Sequence, residues 1–273
     1  MTLAISLAPE TVFQLGSLAV TNSMLASFCL TVVLSLAAVL LGQSIRAIPN
    51  RVQGSLELIY GYFLDLTERI IGRADIARFI FPYVITLFLF VILSYWFGLL
   101  PGLSAFGLSH TENGTSSLIP LFRSPTSDIN TVAGLACASM LYVQAMNIRV
   151  NGVRAYLGTF FNVRSGLDFF TGLLELMTNV NRLISFTFRL FGNVFAGEVL
   201  VAVILYLTIT LVPYLPLLPL PFLFLEVFVG AIQAFIFAFL TIVLTSLAVS
   251  PERQAEPTPL NSSFPSHPLT QPA

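Results

Sequence analysis

The chain has few charged side chains, few cysteines and no lysine. Only 9% of its 273 residues are charged, against roughly 25% in soluble domains, so they could not cover a soluble fold of this size. The net charge of −1 leaves no basic surface to neutralise the phosphates of a nucleic acid. Cys29 and Cys137 each lie inside an apolar run, which excludes a disulfide scaffold. With 56% hydrophobic residues, the composition is that of a membrane protein.

Five apolar segments are long enough to cross a bilayer, whose hydrocarbon core of about 30 Å takes about 20 helical residues. They lie at about 18–41, 79–100, 129–148, 167–211 and 222–249. The fourth must tilt strongly, bend or lie partly along the membrane, because a straight helix of its length would measure about 67 Å. The sequence therefore predicts an all-α polytopic membrane protein with a single transmembrane domain at 18–249. A proline-rich turn at 213–221 joins the last two helices, both long and tilted, into an antiparallel hairpin.

Three further segments lie outside the spans. Residues 1–17 form an outer N-terminal segment. The apolar residues within 53–72 have amphipathic helical spacing, which predicts a cytoplasmic interfacial helix or the start of a helix. Residues 250–273 are rich in proline and serine and are predicted to be a disordered cytoplasmic tail. Asp128, directly before the third span, is a suitable N-cap.

The arginines are concentrated on one side of this topology. Five lie between the first two spans, three follow the third span and one is in the tail. They are Arg46, Arg51, Arg69, Arg73, Arg78, Arg149, Arg154, Arg164 and Arg253. The opposite side holds only Arg123, while Arg182 and Arg189 lie inside the fourth span. Because basic residues collect on the cytoplasmic side, the N-terminus is predicted to be outside and the C-terminus in the cytoplasm.

Ionisable residues inside the last two spans are the strongest functional signal. A charge at membrane depth costs several kcal/mol, and such groups usually mark ion pathways. Arg189 is the most informative, because arginine cannot lose its proton to escape that cost. One interpretation is a structural ion pair with a nearby glutamate, and the other is an electrostatic element in an ion path.

Helical spacing arranges these residues by face and depth. Arg182 and Arg189 are seven residues apart and share a face with Glu175 and Asn193. Glu198, nine residues past Arg189, lies about half a turn round the helix and about 13 Å farther outward. The sequence therefore predicts one acid on each side of a cation that lies at mid-depth in the membrane.

The last helix adds two polar residues to this arrangement. Glu226 and Gln233 are seven residues apart and share a face. Because the last two helices are antiparallel, placing Glu226 beside Glu198 brings Gln233 to about the depth of Arg189. The pattern predicts an acidic cluster facing outside, a cation at mid-depth and Glu175 toward the cytoplasm. Such a layout is typical of two offset aqueous half-paths separated by a positive charge.

Small residues recur on the same two helices. They are Gly192, Ala196, Gly197, Gly230, Ala231 and Ala234. Small side chains allow either close packing between neighbouring helices or a smooth face for a helix of another chain. The sequence leaves both interpretations open.

Three strings resemble the F-type rotary ATP synthase subunit a family. They are SFTFRLFGNVFAGEVL at 185–200, LEVFVGAIQAFIFAFLTIVL at 225–244 and PTSDINT at 125–131. The resemblance extends from about residue 46 to residue 249. Its RLFGN-x-x-AGE core, with IQAF downstream, is specific to the family. The Ala-Gly-Glu motif within this core is similar to that of bacterial members.

The resemblance implies a proton-translocating stator subunit of the bacterial plasma (inner) membrane. Protons would enter from outside, reach a carboxylate on a ring of c subunits, travel with the ring and leave to the cytoplasm. Arg189 matches the essential arginine, which would keep the arriving ring carboxylate ionised and block a direct leak. The other matching polar positions are Asn193, Glu198, Gln233, Glu175, Arg182 and Ser185. The c-ring would face Arg189 and Gln233, and a b-type stator subunit and other synthase subunits would be further partners.

The chain itself shows no metal site, cofactor site, phosphate loop or nucleophile constellation, so the resemblance implies that ATP chemistry belongs to other subunits. Sodium-driven members share the arginine core, which leaves sodium as an alternative to the favoured proton. Two alternatives come from other functional classes. One is a secondary transporter, which would predict inverted repeats, and the other is a purely structural membrane subunit.

Glu226 departs from the family pattern. Many bacterial members have histidine at this position, and mitochondrial members tend to place histidine at the position of Glu198 instead. A histidine relay in the outer path is therefore in doubt for this chain. The two histidines of the chain cannot substitute for the family histidine in the outer path, because His110 is in an outer loop and His267 is in the tail.

Overall fold

Seven α-helices make up most of the chain in the computed structural model, which describes residues 10–15, 18–45, 49–100, 107–112, 115–120, 123–160, 166–211 and 217–249. The helices are α1 (Asn22–Gln43), α2 (Arg51–Ile71), α3 (Ala74–Leu99), α4 (Ile129–Asn151), α5 (Val153–Phe160), α6 (Gly166–Leu211) and α7 (Leu220–Val249). Two antiparallel strand pairs accompany them: β1 (Thr11–Leu15) with β2 (Leu18–Thr21), and β3 (Gly107–Glu112) with β4 (Thr115–Pro120).

Five of these helices, α1, α3, α4, α6 and α7, are long and apolar enough to cross a membrane. The predicted all-α polytopic fold class is confirmed. With 46 residues, α6 extends for about 69 Å, and α7 follows it with 30 residues.

Two of these helices, α1 and α3, begin several residues away from the predicted spans. The first span is predicted from about residue 18, whereas Leu18–Thr21 pair with Thr11–Leu15 as strands in the structure. Asn22 begins α1, where the Thr21 hydroxyl accepts a hydrogen bond from the Met24 amide and caps the helix. At the second span, α3 begins at Ala74 rather than residue 79, with Asp75 in its first turn, where a negative charge is favourable.

The amphipathic segment at 53–72 forms α2, which ends where Gly72 adopts a left-handed conformation with φ of 70°. Phe63 and Thr67 are buried, and Phe63 joins the core built around α3 and α7. Ser246 on α7 donates a hydrogen bond to the Ile70 carbonyl. The buried face of α2 therefore packs on the protein, and its position at the membrane interface stays a prediction.

The core is centred on α3, which packs against both α2 and α7. Ile80 and Val84 of α3 are fully buried, as are Ala234, Ala238 and Ile242 of α7. Alanines at these positions let the two helices approach closely. This packing fixes the side of α3 that faces α7, and with it the position of the site described below.

Several predicted features lie outside the described residues. They are the disordered tail at 250–273, residues 1–9 of the N-terminal segment, Arg46, Arg164, Pro213, Pro216, Arg253, His267 and the side chain of His110.

Candidate functional site

Two acids and their partners meet where α3, α6, α7 and the segment before α4 converge. We call this group the acid cluster: Tyr95, Arg123, Ser127, Glu198 and Glu226. Its members come from four separate parts of the chain, and Glu226 is only 5% exposed.

Glu226 lies near the start of α7 and is held from two sides. The Tyr95 hydroxyl of α3 donates a hydrogen bond to Glu226 Oε1. On the other side, the Glu226 carboxyl group occupies the space that a side chain at Gly197 would fill. Glu198 is the next residue after Gly197 on α6. The structure thus brings the Glu226 carboxyl group against the turn of α6 that carries Glu198.

Glu198 has a cationic partner, Arg123. The Arg123 Nη2 to Glu198 Oε2 distance is 3.4 Å, and Arg123 Nε donates to the Ser127 hydroxyl at 2.9 Å. Both charged side chains are largely shielded, with 16% of Arg123 and 31% of Glu198 exposed. Shielding strengthens the attraction between opposite charges compared with a surface pair.

The segment that carries Arg123 is fixed by local hydrogen bonds. Asp128 caps α4, as predicted, by accepting from the Asn130 amide. The same carboxylate accepts from the Ser23 hydroxyl of α1 at 2.8 Å. The Ser124 hydroxyl donates to the Ser94 carbonyl of α3 at 2.9 Å. Ser124 and Asp128 therefore anchor this segment to α1, α3 and α4 at once.

A second polar group lies toward the other end of α6. Arg182 Nη1 is 3.9 Å from Glu175 Oε1 and donates to Asn179 Oδ1 at 3.3 Å. These three side chains, with Gln144 and Asn147 of α4, line a cavity of about 20 Å³ that can hold about one water molecule. We call this cavity, between α4, α5, α6 and α7, the inner cavity.

Arg189 lies on α6 between the acid cluster and the inner cavity. It is exposed, and so are Ser185, Gly192 and Ala196, which continue the same face. Asn193 is half-buried at the edge of this face. The ion pairs formed among the described residues do not include Arg189. The structure therefore does not place Arg189 in the intramolecular pair that was one interpretation of the sequence.

Gln233 is half-buried on α7, two helical turns beyond Glu226. Within the described part of the chain, no hydrogen bond joins it to Arg189. The described residues also contain no group of three histidine, cysteine or acidic side chains able to hold a metal ion.

The comparisons with known proteins give a consistent result. Residues 24–246 match the family model described as ATP synthase A chain. The chain belongs to this family. ATP synthase subunit a of Moorella thermoacetica is 31% identical over 234 residues, covering 86% of this chain and 93% of the relative. ATP synthase subunit a of Syntrophobacter fumaroxidans is 29% identical over 207 residues, covering 76% of this chain and 75% of the relative.

A third relative is named for its ion. The protein of Propionigenium modestum called "ATP synthase subunit a, sodium ion specific" is 34% identical over 212 residues, covering 74% of this chain and 64% of the relative. The resemblance to subunit a drawn from the sequence is confirmed. As a member of this family with five apolar helices, the protein is an integral membrane component of an ATP synthase and takes part in ATP synthesis and ion transport.

Three residues of the acid cluster, Tyr95, Arg123 and Ser127, were missing from the sequence-based site. Ser127 lies within the string PTSDINT at 125–131, but nothing in the sequence assigned it a role of its own. Tyr95 is one of several aromatic residues in an apolar helix, and nothing local distinguishes it. Arg123 did carry a signal, because it is the only arginine predicted on the outer side. Its isolation on the outer side was the available clue, whereas its proximity to Glu198 became visible only in the structure.

Proposed function

We propose that this subunit a forms two proton half-channels and passes protons to and from a ring of c subunits. In this proposal the acid cluster belongs to the outer half-channel, and the inner cavity belongs to the cytoplasmic one. Arg189 separates them and faces the ring. The coupling of this ion flow to ring rotation then drives ATP synthesis on other subunits, while this chain performs no catalysis itself.

The position of Arg189 is the observation that carries the proposal. An arginine exposed on an apolar helix has no water to solvate it inside a bilayer, so a partner surface must receive it. Glu198 is nine residues away in one direction and Arg182 seven in the other, which corresponds to about 13 Å and about 10 Å along the helix. The two polar groups are thus separated along α6, with a fixed positive charge between them.

Each group then has a defined task. Glu198 and Glu226 receive protons from outside and deliver them to a ring carboxylate. The Arg189 guanidinium stabilises the ionised form of that carboxylate, because an opposite charge nearby favours ionisation, and it repels a proton that would cross directly. Glu175 and Arg182 line the exit to the cytoplasm. The driving term is about 2.3 kcal/mol per charge for each 100 mV of membrane potential.

The surroundings of this path follow from the same arrangement. The exposed face with Ser185, Arg189 and Gly192 is offered to the c-ring, and Gln233 and Asn193 lie at its border. A b-type stator subunit is the other expected membrane partner. We place the transmembrane domain at 18–249 in a bacterial plasma membrane, with the N-terminus outside and the C-terminus cytoplasmic, from the arginine distribution.

The decisive variant is Arg189→Ala. Loss of the guanidinium is expected to abolish ATP-driven proton pumping in membrane vesicles while the complex still assembles, because an exposed side chain contributes little to packing. The matched control is Arg69→Ala, which removes an exposed arginine paired with Asp65 on α2 and should leave pumping unchanged. Pumping by Arg189→Ala at close to the wild-type rate would refute the proposal.

Sodium is the second candidate ion, favoured by the sodium-specific relative from Propionigenium modestum. ATP synthesis driven by an imposed ion gradient in reconstituted vesicles separates the two. A proton-coupled enzyme should synthesise ATP in sodium-free buffer at the full rate. A requirement for a sodium gradient would instead assign sodium as the transported ion.

A further inference from the structure

The two acids of the acid cluster have chemically different partners. Arg123 offers Glu198 a permanent positive charge, whereas Tyr95 offers Glu226 a neutral hydroxyl group. Both partners are linked to α3: Tyr95 belongs to it, and Ser124, next to Arg123, donates a hydrogen bond to the Ser94 carbonyl of that helix. The partners of the two acids are therefore held by the same helix, in the case of Arg123 through its neighbour.

Tyr95 is held rigidly at its place. The residue is 2% exposed, and its ring lies so close to Gly230 of α7 that a methyl group there would overlap it. A phenol ring pinned in this way leaves its hydroxyl little freedom, so the Glu226 carboxyl group must adopt the orientation that the hydroxyl allows.

The hydroxyl of Tyr95 is not needed to dock α3 on α7. Trp96, the next residue, donates a hydrogen bond from Nε1 to the Val227 carbonyl at 3.1 Å. The buried contacts of the two helices hold them together as well. The hydrogen bond from Tyr95 therefore serves to position the Glu226 carboxyl group rather than to join the two helices.

We infer that Tyr95 is a positioning residue for proton transfer in the outer half-channel. Its hydroxyl holds the Glu226 carboxyl group against Gly197, beside Glu198, in the orientation in which the two acids exchange a proton. In that exchange a proton leaves an oxygen of one carboxyl group and joins an oxygen of the other. Tyr95 keeps its own proton, so the total charge of the pair is unchanged. The inference rests on the proposed function and adds to it a residue outside the predicted site.

The test is Tyr95→Phe, alone and combined with Glu226→Gln, in the assembled ATP synthase in membrane vesicles. Tyr95→Phe keeps the ring against Gly230 and removes one oxygen atom. ATP-driven proton pumping per assembled complex should fall about tenfold, the order expected when one hydrogen bond to a charged group is lost. In the Glu226→Gln background the same change should have less than about a twofold effect, because the side chain at 226 no longer carries a proton.

The matched control is Tyr83→Phe. Tyr83 is on the same helix and its hydroxyl lies 3.2 Å from the Ser139 hydroxyl, away from both acids, so its loss should not change pumping. A wild-type rate for Tyr95→Phe, or an equal loss in both backgrounds, would overturn the inference. Arg189→Ala in the same vesicles distinguishes a failure of the inference about Tyr95 from a failure of the proposed function. If Arg189→Ala abolishes pumping while Tyr95→Phe does not slow it, only the role of Tyr95 is refuted. If Arg189→Ala pumps normally, the proposed function itself fails.

Discussion

Glu226 reaches the backbone of α6 because Gly197 has no side chain. The carboxyl group lies where a Cβ atom at Gly197 would stand, and this close approach sets it beside Glu198. Glycine in a helix interior usually costs about 0.5–1 kcal/mol relative to alanine. At Gly197 that cost is offset by the room it leaves for a buried acid.

Gly197→Ala is therefore expected to harm function although alanine favours helices. The added methyl group must displace the Glu226 carboxyl group, and inserting a methyl group into a packed site typically costs about 1–3 kcal/mol. Proton pumping should fall at least about tenfold, and the thermal stability of the complex should not rise. Gly134→Ala is the control, because no atom within 4 Å meets a Cβ there; it should leave pumping unchanged. Normal pumping by Gly197→Ala would mean that the close approach is unimportant.

At the scale of helices, α6 and α7 determine which polar residues share a depth. Glu198 to Arg189 corresponds to about 13 Å along α6, and Glu226 to Gln233 to about 10 Å along α7. Because Glu226 packs on Gly197, Gln233 should lie within a few ångströms of the depth of Arg189. This offset was derived from helical spacing and the antiparallel hairpin alone, and the contact between Glu226 and Gly197 supports its starting point.

Cross-linking tests the offset. In a chain lacking Cys29 and Cys137, Gln233→Cys should form a disulfide in membranes with a cysteine placed at mid-span of the c subunit. Val203→Cys is the control, since Val203 is also exposed on α6 but lies about 21 Å from Arg189 along the helix. It should not link to the same position. A link from position 203 without one from position 233 would show that the register is wrong.

At the scale of the whole molecule, length and hydropathy predicted the five helices, and periodicity predicted which charges share a face. The remaining features depend on contacts that no local pattern reveals. Tyr95 and Glu226 are separated by 131 residues, and the pairing of Leu18–Thr21 with Thr11–Leu15 overrides an apolar run that reads as helix. Asp128, by contrast, was predictable because an N-cap is a property of adjacent residues.

The distance along the chain between Tyr95 and Glu226 also has a consequence for synthesis. Chains are made from the N-terminus, so α3, the Arg123 segment and α6 exist before α7 does. Until α7 has been made, Tyr95 lacks the Glu226 carboxyl group as its partner, and Gly197 lacks the side chain that packs on it. The last helix therefore completes the cluster, and every intermediate on the ribosome lacks it.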